Sequence, residues 1–207
     1  MNALDEEVAT FTQAALWTDS LVSGIPTEAW NGPGLGDWNM RALVGHTSRA
    51  LLTVEQYLGR RAVEERVASA AEYYEQTGSS LAPNSGAILQ RGVDAGAALG
   101  ADPAAEFHAI VERVTELVDA AADQLIETLV GGMRLSNYLP TRTFELIVHG
   151  LDIAAAAQLP QRPPEGALHR ALDLATSLAV RAGDGPRLLL ALTGRGSLGA
   201  GYSVLPS

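Results

Sequence analysis

At 207 residues and 47% hydrophobic content, the chain suits one domain, or one domain with a small appendage, and is long enough to bury a real core. Its formal net charge of −10 argues against nucleic acid as a partner, since Arg60 and Arg61 are followed at once by Glu64 and Glu65 and no basic patch forms. The absence of cysteine excludes disulfides, thiolate metal ligands and a cysteine nucleophile, and no apolar run approaches the roughly 18 to 20 residues that cross a bilayer. The first seven residues are acidic and lack the basic start of a signal peptide, so the expectation is a soluble cytoplasmic protein with no membrane partner.

Residues 4–23 predict a first helix, with Leu4, Val8, Phe11, Ala15 and Val22 near helical period and Gly24 and Pro26 as its stop. A Gly/Pro-rich loop follows at 30–37. A second helix starts with Asp37 or Asn39 as cap, and Met40, Leu43, Val44, Thr47, Leu51, Val54 and Leu58 form its inward stripe. Residues 62–100 are harder to read. Glu64 to Tyr74 suggests a short helix, and Pro83-Asn84-Ser85 a loop leading into a helix over about 85–99. A third long helix is expected from Pro103, its apolar period running through Phe107, Ile110, Val114 and Val118 to Leu125 and Leu129, with Gly131-Gly132 as its end. The fourth spans 141–157, and Pro160 to Pro164 reads as a linker. Beyond it, 165–182 reads as helix, 187–193 as a strand, 194–197 as a turn and 201–205 as a partner strand. The expected organisation is therefore a mainly α chain: a four-helix bundle over 1–158 with a small α/β C-terminal region over 165–207, a helix plus a β-hairpin. The open edges of such a hairpin suit a homodimer.

Two stretches carry the chemistry. Arg142 to Asp152 places Glu145 and His149 one turn apart on one helix face, where a carboxylate and an imidazole can share a divalent metal. On a helical wheel Glu145, His149 and Asp152 share an arc of roughly 60° that borders the apolar stripe of Phe144, Ile147, Val148 and Leu151. Asp37 to His46 supplies a second histidine on another helix. Two His and one carboxylate leave coordination positions open, as a catalytic metal needs. Spacing alone leaves the plainer alternatives standing. A Glu and a His at i, i+4 are often a surface pair, and a histidine on an apolar helix is more often a core residue bonded to a carbonyl.

The segments Trp38-x4-Leu43-x2-His46 and Glu145-x3-His149-x2-Asp152, in this order and on these helices, resemble the DinB-like superfamily, and most of all the actinobacterial branch that includes mycothiol-dependent maleylpyruvate isomerase. The resemblance implies a DinB-like four-helix bundle whose three metal ligands are His46, Glu145 and His149. Zinc is the leading metal, with nickel, iron or manganese as alternatives. Asp152 is either a group that orients a ligand or a structural hydrogen-bonding residue. Arg142 either pairs with a substrate carboxylate or, the reading favoured here, with Glu145. Trp38 packs the helix start rather than contacting substrate. His108 and His169 belong to no matched motif and are expected to be non-catalytic. Gly194-Arg195-Gly196 lacks the strand–turn–helix setting of a nucleotide loop. The function implied is a metal-dependent transferase or isomerase. It would use mycothiol as co-substrate against a small electrophile, because this cysteine-free chain has no thiol of its own. The alternatives are a non-catalytic metal- or ligand-binding bundle and a metal-dependent hydrolase.

Overall fold

The computed structural model describes residues 3–80 and 85–205. Helices α1 (Ala3–Ser23), α2 (Met40–Leu58), α5 (Pro103–Asp119) and α6 (Leu135–Ala156) form the bundle; α1 and α2 each pack on both α5 and α6, so the order around the ring is α1, α5, α2, α6. Helix α3 (Ala70–Ser80) lies on α6, α4 (Ser85–Ala98) on α2, and α7 (Glu165–Arg181) on α6 and α1; α8 (Gly185–Leu192) follows against α7. Phe11, Val22, Leu43, Leu51, Val54, Phe107, Val111, Val114, Leu139, Leu146 and Ile153 are wholly buried between the four bundle helices. The chain is mainly helical with one small antiparallel sheet, as expected. Among the described residues, no helix is long and apolar enough to cross a membrane.

Local chemistry fixes the helix starts. Of the two candidate caps for α2, Asn39 serves: its Oδ1 accepts the Ala42 N–H at 2.9 Å. Asp102 does the same for Ala105 at the start of α5, with Pro103 behind it. Helix α3 begins with a capping box, in which Ser69 Oγ accepts from the Glu72 N–H and Glu72 Oε2 accepts from the Ala68 N–H.

Four expectations need correction. Helix α5 ends at Asp119, ten residues before Leu129; Leu125 lies on strand β1 (Leu125–Thr128) and Leu129 in the turn to β2 (Gly131–Arg134). The apolar period of α5 runs by coincidence into a strand whose own period is two, with Ile126 and Thr128 inward. Tertiary bonds decide the matter, since the Asp123 carboxylate accepts from the Ser136 backbone N–H and hydroxyl and so is tied to the first turn of α6.

Helix α6 starts at Leu135, six residues before the expected 141, and carries Pro140 inside it. A proline interrupts one backbone bond but does not end a helix so near its start, where packing holds it; Pro140 and its neighbours Tyr138 and Leu139 are buried.

Residues 64–69 are not helical. The chain from Arg60 to Val67 runs along both edges of the hairpin: the Ala62 N–H donates to Leu125 O and the Glu127 N–H to Arg60 O, while Arg66 and Val67 donate to Gly132 O. This closes both edges of a sheet too small to stand alone. Gly132 is required here, because a Cβ at that position would lie 2.0 Å from Glu64 O.

The fourth correction concerns the tail, which holds no hairpin. Residues 187–192 belong to α8, opened by Pro186, and 201–205 form no strand. A continuous apolar run such as Leu188-Leu189-Leu190 has no period to separate strand from helix. The hairpin edges that suited a homodimer are therefore absent from the tail. The expected loop at Pro83-Asn84 lies outside the described residues.

Candidate metal centre

Helix α6 is buried along most of its circumference, but Arg142, Glu145, His149 and Asp152 form a partly accessible polar seam at i, i+3, i+7 and i+10. The side chains of His149, Glu145 and Asp152 are 14%, 22% and 27% exposed, too covered for a solvated face and too open for a sealed core. On α2, His46 is the one partly accessible residue between Ala42 and Ser48. It faces His149 edge-on, with ring centroids 4.9 Å apart. His46, Glu145 and His149 each offer a ligand atom, and the three atoms lie within 4.8 Å of one another.

The neighbours of this trio come from α6 itself, from α3 and from Trp38 just ahead of α2. His149 Nε2 lies 3.2 Å from Glu145 Oε2, and its Nδ1 lies 3.1 Å from Asp152 Oδ2. On α3, Tyr74 donates its hydroxyl to Glu145 Oε1 in a short hydrogen bond. Trp38 stacks obliquely on His46 at 4.5 Å and donates its indole N–H to Leu89 O on α4. Arg142 forms no ion pair with Glu145. Its Nε donates to Thr141 Oγ1, and its guanidinium lies over the rings of Tyr138 (5.1 Å) and Tyr73 (5.7 Å). The expected Arg142–Glu145 pair is thus replaced by a cation–π arrangement.

A family model described as the mycothiol maleylpyruvate isomerase N-terminal domain matches residues 11–154. The chain belongs to this DinB-like family. No curated protein and no solved structure matches it. The match covers most of the bundle, from within α1 to near the end of α6, and all four polar residues of the α6 seam, and leaves α7 and α8 outside.

Electrostatics in this family member favour a site that holds a cation. Burial, joined by the charge of His149, holds His46 down at about 4, so its imidazole is neutral near pH 7 with a lone pair free. Its Nδ1 is buried and has no hydrogen-bond partner among the described residues. A buried, unpaired polar nitrogen is costly. Burial alone would raise Glu145, but the hydrogen bond from His149, the Arg142 charge and the Tyr74 hydroxyl bring it to about 2. Burial likewise works against a charged His149, yet the hydrogen bonds to Asp152 and Glu145 push it up to about 9. The raised His149 ring thus lies between two carboxylates, those of Glu145 and Asp152. Two imidazoles and one carboxylate fit a borderline divalent ion with open positions, and Asp152 on the far nitrogen of His149 supplies the usual orienting partner of a ligand histidine.

Sequence reasoning missed Tyr74 and Tyr73. Their link to α6 spans about seventy residues of chain, and they lie in the stretch whose pattern was least readable. Trp38 packs the start of α2 as expected, but the surface it packs includes His46. His108 lies on the outer face of the bundle with Asp19, and His169 is exposed on α7; neither joins the trio.

Proposed function

We propose that the protein is a metal-dependent enzyme that uses a low-molecular-weight thiol, mycothiol, to transfer sulfur to a small electrophilic substrate or to isomerise it. The observation that supports this most is the convergence of His46, Glu145 and His149 within 4.8 Å, on a partly accessible seam of a chain that has no cysteine. A divalent metal held by these three residues, zinc first among the candidates, would supply the positive charge that keeps an incoming thiol deprotonated at neutral pH. The remaining roles fall to the chain itself. Asp152 takes the hydrogen bond from His149 Nδ1 and so keeps Nε2 directed at Glu145. Trp38 covers one side of His46 with apolar surface, and Phe144 backs the ring of Tyr74. Arg142 lies roughly 4.5 Å along the helix axis from Glu145. Its terminal nitrogens have no hydrogen-bond partner among the described residues, which suits them to hold an anionic group of the substrate.

The sulfur then has two routes. With a leaving group on the substrate, the C–S bond forms as the leaving group departs with its electron pair. With a cis double bond conjugated to a carbonyl, addition leaves a single bond that can rotate, and elimination returns the thiol and the trans alkene. The test is turnover of a cis-unsaturated carboxylate and of a halogenated carboxylate by zinc-loaded protein, with and without mycothiol. The expected result is conversion that requires both zinc and thiol, with Arg142→Met raising KM at least about tenfold for the anionic substrate but not for its amide. Equal rates without thiol would contradict the reading and point to activated water instead.

A further inference from the structure

We propose that Tyr74 is a positioning residue that limits Glu145 to one free oxygen; this rests on the metal-site reading above. A carboxylate can hold a metal through one oxygen or through both, and the choice changes how many positions stay open for thiol and substrate. Here the two oxygens have different partners. Oε1 accepts the Tyr74 hydroxyl, while Oε2 lies 3.2 Å from Nε2 of His149, another of the three candidate ligands. The phenol is held firmly. The tyrosine is 7% exposed, its ring meets Phe144 and Tyr73 edge-on at 5.6 and 6.0 Å, and its oxygen also lies 3.4 Å from Thr141 O. Helix α3, which carries it, stands outside the ring of four bundle helices, so the Tyr74 hydroxyl is a direct tie from that layer to a candidate ligand. Removing the hydroxyl alone keeps the ring packing and frees Oε1 to swing toward the metal.

The experiment titrates metal-stripped protein with Co(II), in the native chain and in Tyr74→Phe, following visible absorption. The expected result is the weaker visible absorption of a higher coordination number in the variant, as Oε1 joins Oε2. Thermal melts would show both proteins folded. An unchanged spectrum in Tyr74→Phe would overturn the proposal. A second measurement keeps this separate from the fate of the metal reading. In metal-free protein, a double-mutant cycle of Tyr74→Phe with Glu145→Met, read by urea unfolding, is expected to be non-additive. If the native chain takes up no Co(II), the metal reading fails and the cycle alone decides, with additive effects overturning the role of Tyr74.

Discussion

The pKa of His149 is set by the Asp152 and Glu145 carboxylates on either side of it, and this gives the site a defined pH dependence. Its value rises from 6.5 to about 9 on folding, because Asp152 and Glu145 more than offset its burial. The stability this group lends the metal-free fold is therefore fully present below about pH 6.5 and is lost as pH rises through about 9. Metal binding runs the opposite way, since the imidazole must shed a proton before its nitrogen can coordinate. The affinity for Zn(II) should climb by about tenfold per pH unit between pH 6.5 and 8.5 and flatten above about 9, with close to one proton released per metal at pH 7.5. Titration in two buffers of different ionisation enthalpy measures the release; an affinity indifferent to pH across that range would contradict the assignment. His46 adds little in this window, because burial already keeps it neutral. At this scale the helical spacing of Glu145, His149 and Asp152 was legible, while the partners of Arg142 on the same helix were not. The order Arg142, Glu145, His149, Asp152 can be read directly as a seam. The partners from α3 could not be read, because nothing in Tyr73-Tyr74 marks which residues some seventy positions later they will meet.

At the scale of elements, the α2–α4 contact sets where His46 points. Gly45, the residue before it, meets Gly96 of α4 so closely that a Cβ at 45 would lie 2.1 Å from the Gly96 nitrogen, and a Cβ at Gly92 would strike the Trp38 ring. Backbone cannot yield as a flexible side chain can. Gly45→Ala should therefore destabilise the fold by at least about 3 kcal/mol, lowering Tm by roughly 6 to 12 °C. Gly59→Ala at the end of the same helix, where the nearest atom would be a comfortable 3.6 Å away, should change Tm little. Equal melting temperatures for the two variants would show that the close approach is not needed. Helices α1, α2 and α7 were legible from their apolar stripes, with Gly24 and Pro26 ending the first and Asn39 capping the second. The end of α5 and the start of α6 were not, because a coincidental period and a tolerated proline pointed the wrong way and long-range bonds decided both. Extended segment 60–67 has no pattern of its own, since its partners are the edges of a hairpin whose strands begin at Leu125.

At the scale of the molecule, the bundle brings together two motifs that lie about a hundred residues apart in sequence. Spacing alone leaves Glu145–His149 as an ordinary surface pair and His46 as a core histidine. The resemblance joined them, and the packing of α2 on α6 sets their ligand atoms within 4.8 Å. The sequence could not give the architecture of the tail, because its leucine run has no period, nor the choice of substrate, which depends on the shape of the walls around Arg142 and Trp38. The proposed function stands on this convergence holding one divalent metal. The most direct measurement is metal content by elemental analysis of protein purified without an affinity tag, for the native chain and for His149→Ala. About one metal per native chain is expected, and almost none in the variant. A native protein that carries no metal, and takes up none on reconstitution, would contradict it.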